Sequence, residues 1–370
     1  MISKRMSKID SSGIRKVFNL AAQIKNPINL SIGQPDFDVP QQIKQEAIKA
    51  INAGFNKYTQ TQGILELRER VAQKLKDKNS INIHPEDILI TSGVSGGLFL
   101  AFYALLDSQD EAIIFDPYFT MYKHLINFID GVPKYINTYP DFSLNIEKVK
   151  EAITEKTKVI VINNPGNPTG KTYSKQELKS IAKVAKENEL VVISDEVYEE
   201  FMYEEEPFSI GSIYDKTITL NGFSKTYAMT GWRLGYAAGP SEIIQAMGKL
   251  QQYSFVCAPS LAQFAAIKAF ECNVSEYIAQ YRKKRDLVYV GLKNHFKVEK
   301  PGGGFYIFPQ VDGIRATAFV EKAITKNLLI IPGNVFSEQD TNFRLSFAAS
   351  NETIERGIET LIELAQEIRS

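Results

Sequence analysis

Apolar residues fall along this chain in two alternating patterns. The first is a set of short continuous runs: Ile88-Leu89-Ile90, Ala112-Ile113-Ile114-Phe115, Val159-Ile160-Val161-Ile162, Val191-Val192-Ile193 and Thr217-Ile218-Thr219-Leu220. Runs of this length without polar alternation predict strands buried on both faces. The second pattern lies between them, where apolar residues keep three-to-four spacing and predict helices. These span about Pro40 to Ala53, Leu65 to Lys76, Gly96 to Leu106, Tyr118 to Phe128 and Ser174 to Asn188, the last opened by a capping box of Ser174 with Glu177. A short helix is also expected over about 14 to 25. Strand and helix in repeated alternation predict an α/β fold with a mainly parallel sheet covered on both sides.

Beyond about residue 270 the pattern changes. A long amphipathic helix is expected from Ser275 to Phe296, then the glycine-rich Pro301-Gly302-Gly303-Gly304-Phe305-Tyr306-Ile307-Phe308 and a helix near 316–326. The strand Phe343-Arg344-Leu345-Ser346-Phe347 and a terminal helix from Glu352 follow. This reads as a smaller α+β unit. The expected division is a large domain over 41–270, with 1–40 and 271–370 forming an amino-terminal arm and a small domain.

The polar motifs share one location. Ser92 to Gly97, Asp116-Pro117-Tyr118-Phe119, Asn163 to Gly170, Asp195-Glu196-Val197-Tyr198 and Ser224-Lys225 each begin where an expected strand ends. Open α/β sheets bind ligands outside the carboxyl ends of their strands. Five motifs at that edge predict a single site.

Composition narrows what the site can serve. The chain has 370 residues, 44% of them hydrophobic, enough for a large core. Lys+Arg and Asp+Glu both total 43, so no basic excess points to nucleic acid or an anionic membrane. Two cysteines, Cys257 and Cys272, make no disulfide framework and suit a reducing compartment. Three scattered histidines and no cysteine pair at ligand spacing predict no metal site. The basic start Met1 to Lys8 lacks the apolar stretch of a secretory signal, and no run approaches the ~20 apolar residues of a membrane span. A cytoplasmic location is expected.

The stretch Gly222-Phe223-Ser224-Lys225-Thr226-Tyr227-Ala228-Met229-Thr230-Gly231-Trp232-Arg233-Leu234-Gly235 carries the sharpest chemistry. Lys225 is either a solvated lysine or an amine held among apolar neighbours, where its pKa falls and it becomes a nucleophile. Arg233 is half of a salt bridge or a planar fork for a phosphate. A lysine for a carbonyl and an arginine for a phosphate together meet the needs of an aldehyde-phosphate cofactor such as pyridoxal phosphate. Val94, Ser95 and Gly96 precede an expected helix whose free N–H groups suit a phosphate. Asp195 ends a hydrophobic strand, where it caps a turn or pairs with a pyridinium nitrogen. Tyr198 and Asn167 either hydrogen-bond a phenolic oxygen or are ordinary turn or core residues, Phe119 stacks on a ring or belongs to the core, and Arg344 forks a substrate carboxylate or faces solvent from an edge strand.

Together these residues resemble the class I/II, fold-type I, pyridoxal-phosphate-dependent aminotransferases, the aspartate aminotransferase-like superfamily, from about Ile28 to Arg369. The likeness rests on the lysine stretch, on Asn167-Pro168-Thr169-Gly170, on Ser194-Asp195-Glu196-Val197-Tyr198 and on Phe343-Arg344-Leu345-Ser346, in the family's order. It implies that Lys225 joins the cofactor's aldehyde and then moves a proton between the substrate's alpha carbon and the cofactor's C4′. Asp195 would hold the pyridinium, and Asn167 and Tyr198 the phenolic oxygen. The phosphate would rest on Val94, Ser95, Gly96, Ser224 and Arg233, and Phe119 would stack on the ring. Arg344, the backbone N–H of Gly33 and the Asn167 side chain would bind the alpha-carboxylate. Tyr58 would reach the neighbouring subunit's site, which implies a homodimer with shared active sites.

The implied activity is transfer of an amino group from an L-amino acid (aspartate, aromatic or similar) to a 2-oxo acid such as 2-oxoglutarate. A β-lyase or aminocyclopropane-carboxylate synthase-like activity shares the same motifs and stays open. Four positions depart from relatives. Gly222 stands where many place a phosphate-binding hydroxyl, and Phe119 where many aspartate-specific members have tryptophan. Ser95 and Gly13 stand where the bacterial aspartate-preferring branch has a lysine and a threonine, so selection of an acidic side chain does not carry over.

Overall fold

A computed structural model describes residues 2–9, 13–14, 17 and 24–369. The helix expected over about 14 to 25 falls mostly outside them. Strands, in chain order, are β1 (Ile28–Asn29), β2 (Ile88–Thr91), β3 (Glu111–Asp116), β4 (Val132–Asn137), β5 (Thr157–Asn163), β6 (Val191–Asp195), β7 (Thr217–Gly222), β8 (Gly235–Ala238), β9 (Tyr306–Ile307), β10 (Leu328–Leu329), β11 (Ile331–Pro332) and β12 (Phe343–Ser346).

Seven of them form the main sheet in the order β2-β8-β7-β6-β5-β3-β4. β7, β6, β5, β3 and β4 run parallel, and β8 is antiparallel to both β2 and β7. The expected mainly parallel α/β sheet is therefore the observed one. Its continuous apolar runs divide by strand parity. Ala112, Ile114, Val159, Val161 and Ile193 pack with the helices Gly93–Leu105, Met121–Phe128 and Ser241–Gln252 on one face. Ile113, Phe115, Ile160, Ile162 and Val192 pack with Ile146–Ala152 and Lys175–Glu187 on the other. Successive side chains of a strand point to opposite faces, so a run with no polar member needs cover on both. The capping box of Ser174 with Glu177 opens Lys175–Glu187 as expected.

A second set of strands lies outside this sheet. β12 sits between β11 and β9, antiparallel to both, and β1 pairs with β10 in parallel. Their apolar side chains join the helices Ser275–Leu292, Ala316–Thr325 and Asn351–Arg369 in one core with Ile28 and Leu30.

The sequence pattern hides two strands. β4 is an edge strand carrying Pro133, with only Ile136 buried, so it lacks the signature of a double-faced strand. β8 is made of Gly235, Tyr236, Ala237 and Ala238, and small size is its function. Gly222 of β7 lies opposite Gly235, and a Cβ at 222 would meet the Gly235 Cα and the Leu234 carbonyl oxygen, both at 2.9 Å.

Four helix boundaries differ from expectation, one of them that of the helix expected to end at about Lys76, which runs on to Asn79. The helix expected from Tyr118 starts at Met121, and the one expected to reach Phe296 ends at Leu292. The helix expected from Gly96 begins at Gly93, which puts Val94, Ser95 and Gly96 in its first turn. Gly97 is a packing residue rather than a turn former: a Cβ there would come 2.9 Å from Leu220 Cδ2. Among the described residues no helix is long and apolar enough to cross a membrane.

β8 is wedged between two backbones. A Cβ at Gly235 would lie 2.8 Å from the Gly93 carbonyl carbon and the Val94 nitrogen, and 3.0 Å from the Asn221 carbonyl oxygen. Gly235→Ala is expected to lower Tm by several degrees, as a substitution costing roughly 1–3 kcal/mol does. A thermal melt that matches the parent protein would contradict this packing.

Candidate active site

The carboxyl ends of β5, β6 and β7, the first turn of Gly93–Leu105 and the strand β12 enclose a cavity of about 570 Å³. Lys225 projects into it three residues beyond β7. Phe223, packed on Tyr227, Tyr236 and Phe270, anchors the loop that carries it. The Lys225 Nζ donates to the Gly33 carbonyl oxygen at 2.6 Å and lies 5.7 Å from the ring centres of Tyr198 and Phe305. Burial, and then the charges of Arg344 and Arg233, pull its pKa down to about 8 against the opposing pull of Asp195. The residue as a whole is half-buried, with its amine desolvated at the cavity.

Asp195 closes β6 and is buried. Its carboxylate accepts from the Tyr122 hydroxyl at 2.7 Å and from the Val197 N–H at 3.4 Å. Burial pushes its pKa up to about 6 despite those donors and Lys225. A carboxyl raised by burial is one that a buried cation would stabilise in ionised form. The next residue, Glu196, turns to the opposite side. It accepts from Ser194 at 2.7 Å and Ser209 at 2.6 Å, in a buried group with Asn79, Glu199 and Lys74. Desolvation pushes Glu196 up to about 7, while Lys74 and Asn79 hold Glu199 below its ordinary range against its own burial.

Arg344, in the middle of β12, is 1% exposed. Its Nη1 donates to Asn167 Oδ1 at 3.1 Å and its Nη2 to the Ser31 carbonyl oxygen at 2.8 Å, while Nε is buried without a partner. The guanidinium carbon lies 4.5 Å from the ring centre of Tyr306 and 4.6 Å from that of Phe336. Asn163 fixes the Asn167 loop by accepting from the Asn167 N–H at 2.8 Å and donating to the Asp195 carbonyl oxygen at 3.0 Å. The Tyr198 hydroxyl meets that of Tyr306 at 3.0 Å.

The remaining expected residues gather at the opposite end. Val94, Ser95, Ser224, Phe119 and Arg233 line the same cavity. Arg233 adopts a left-handed backbone (φ 54°) and donates through Nη1 to the Thr230 carbonyl oxygen at 3.0 Å. Its guanidinium stands over the helix start, so close that a Cβ at Gly93 would lie 2.7 Å from Nη2. Helix N–H groups and an arginine meeting at one point make an anion cradle. Phe119 contacts Tyr122 edge to face, with ring centres 5.6 Å apart.

Tyr58 is the expected residue that the fold leaves outside; it is 84% exposed and does not line this cavity. Gly96 also lies off the lining, one residue further into the helix than Ser95. Two residues were missed from sequence. Tyr122 stands three positions after Phe119, a helical repeat that places it against Asp195. Tyr306 was hidden in an apolar run. Among the described residues no group of three His, Cys, Asp or Glu could hold a metal ion.

Comparisons with known proteins agree with this geometry. A family model, aminotransferase class I and II, matches residues 25–361. The chain is 42% identical to a probable aspartate aminotransferase of Methanocaldococcus jannaschii, over 98% of this chain and 100% of that protein. It is 36% identical to aromatic-amino-acid aminotransferase 2 of Thermococcus litoralis, over 99% and 98%. Its fold superposes on aspartate aminotransferase from Thermus thermophilus with maleate at a TM-score of 0.95, with 34% identity over 98% of this chain and 99% of the other.

Reactivity at Lys225 tests the electrostatics. In cofactor-free protein, reductive methylation of Lys225, followed by mass spectrometry, is expected to rise with pH around a midpoint near 8. Arg344→Gln removes a positive neighbour, so the ammonium form is favoured and the midpoint moves up. A midpoint like that of an ordinary lysine in the parent protein, or one unmoved by the substitution, would be inconsistent with the desolvated amine.

Proposed function

The chain belongs to the class I and II aminotransferase family, and we infer that this cavity is where it moves an amino group from an L-amino acid to a 2-oxo acid. One observation carries the assignment: a desolvated amine from the loop after β7, a buried carboxyl at the end of β6 and a buried guanidinium within β12 face one cavity.

The residues fit pyridoxal phosphate on their own chemistry. The Arg233 guanidinium and the helix start at Gly93 form a cradle for a phosphate, with Val94, Ser95, Gly96 and Ser224 beside it. Asp195 is a buried carboxyl that lacks a cationic partner of matching strength, as a pyridinium nitrogen would be. Tyr198 and Asn167 suit the phenolic oxygen, and Phe119 suits a ring face. Bound there, the cofactor supplies a conjugated ring that withdraws the electron pair released at the substrate's alpha carbon.

The protein's own groups do the rest. Arg344 holds the alpha-carboxylate through its fork, with Asn167 already on Nη1 and the Gly33 N–H nearby. With the carboxylate fixed, the alpha C–H is turned toward the Lys225 amine. Lys225 Nζ would accept that proton and hold it for return, a role suited to an amine of pKa near 8 at neutral pH. Asp195 would hold a pyridinium nitrogen and favour its protonated form.

Ile14, Ile32, Leu98 and Met121 are among the residues that line the cavity, and apolar burial against such side chains supports an aromatic or large apolar donor over aspartate. Residues 41–270 are read as the cofactor-binding domain, with 1–40 and 271–370 as arm and small domain. The exposed Tyr58 is assigned to a second copy's cavity in a homodimer; sedimentation as a monomer would exclude that assignment. Cys257 and Cys272 are both free, which supports a cytoplasmic setting.

Lys225→Ala is expected to abolish multiple-turnover transamination. The parent enzyme is expected to form one new amino acid per donor consumed with 2-oxoglutarate, without releasing pyruvate and ammonia. Lyase products instead, or turnover that survives in Lys225→Ala, would remove the assignment. A donor panel scored by kcat/KM is expected to rank aromatic donors above aspartate.

A further inference from the structure

Tyr306 has no part in the chemistry above, yet it touches the supports of three of its groups. It lies in β9, opposite Ser346 of β12, which puts it diagonally across from Arg344 on one sheet face. Its ring covers the Arg344 guanidinium at 4.5 Å. Its hydroxyl is 3.0 Å from the Tyr198 hydroxyl. It also packs on Gly33, where a Cβ would lie 2.2 Å from that oxygen; the Gly33 carbonyl is the one that accepts the Lys225 amine.

We propose that Tyr306 is a positioning residue: its hydroxyl commits Tyr198 to donate toward the cofactor's phenolic oxygen, and its ring holds Arg344 ready for the alpha-carboxylate. The argument is one of proton counting. Both phenols are buried, and burial raises the pKa of each above that of free tyrosine, so each stays neutral with one proton to give. Two hydroxyls in contact leave two arrangements, with either oxygen as the donor. Once Tyr198 gives its proton to an anionic oxygen in the cavity, its lone pair can accept from Tyr306. The Tyr306 proton then satisfies an oxygen that water cannot reach, and the chain of two phenols strengthens the terminal donor.

The ring acts separately. A guanidinium beside an aromatic face keeps its charge and loses conformational freedom, so the fork is set before the carboxylate arrives. One side chain thus serves the cofactor through its oxygen and the substrate through its ring. The two parts can be removed one at a time.

The inference rests on the reading of the cavity as the cofactor site, and the test separates the two. Visible absorbance of the holoenzyme is titrated against pH for the parent, Tyr306→Phe, Tyr198→Phe and the double variant. Loss of the donor chain leaves the cofactor's phenolic oxygen more basic, so Tyr306→Phe is expected to raise the titration midpoint by about half a unit or more. The KM for the amino donor should stay within about twofold of the parent value, since the ring remains. In the Tyr198→Phe background the second substitution is expected to add no shift. Tyr306→Leu removes the ring as well and is expected to raise KM about tenfold.

An unmoved midpoint in a Tyr306→Phe protein that binds cofactor overturns the role of the hydroxyl. So does an equal shift in the Tyr198→Phe background. A Tyr306→Leu variant with the parent KM overturns the role of the ring. If the parent protein shows no cofactor absorbance, the reading of the cavity falls and takes this inference with it.

Discussion

Keeping one primary amine out of water is the constraint that organises this molecule. An ammonium in an apolar pocket is costly unless paired, and the Lys225 pocket is built to leave it underpaired. Its one close partner is a neutral carbonyl, at Gly33. Two like charges, Arg344 and Arg233, share the cavity, and the single carboxyl, Asp195, is itself starved of cationic company. Each of these groups comes from a different segment, and Lys225, Arg344 and Arg233 are held by neutral groups that themselves line the cavity. The fold's task is to hold several incompatible charges at short range until a ligand reconciles them.

That task explains why the supports are phenols, amides and backbone rather than further charges. Tyr122 steadies Asp195, Asn167 and the Ser31 carbonyl steady Arg344, and Asn163 ties the β5 and β6 ends together. Neutral partners orient a charged group without cancelling it. The true ion pairs lie outside the cavity. Lys284 grips Asp36, and Tyr281 accepts the Asp36 N–H, which pins the segment carrying Gly33 to the helix Ser275–Leu292. Charge neutralisation serves the scaffold; charge tension is kept for the site.

Much of this was legible in the sequence because the signals were local. Continuous apolar runs marked the double-covered strands, and the polar motifs at their ends marked the cavity. What was hidden depended on distant partners. β8 is composed of small residues whose reason is the backbone beside it, and β4 is too exposed to carry an apolar pattern. The glycines at 96 and 97 read as a turn, yet Gly97 admits the side chain of Leu220 from the next layer. Tyr306 gave no signal, because its meaning lies in Tyr198 and Arg344, 108 and 38 residues away along the chain. Tyr58 was expected at a cavity only through likeness to a family, and within this chain it stands exposed and off the cavity lining.

The pair Gly222 and Gly235 carries a consequence beyond packing. A hydroxyl at 222 would add a natural grip on a phosphate, but its Cβ meets the backbone of β8 at 2.9 Å. Backbone cannot step aside as a flexible side chain can. Such a gain needs β8 to give way, and β8 is in turn pressed against the helix start at Gly93 and Val94. The two positions are therefore coupled through the backbone: a side chain at 222 requires a shift of β8, and a shift of β8 disturbs the helix start at Gly93 and Val94.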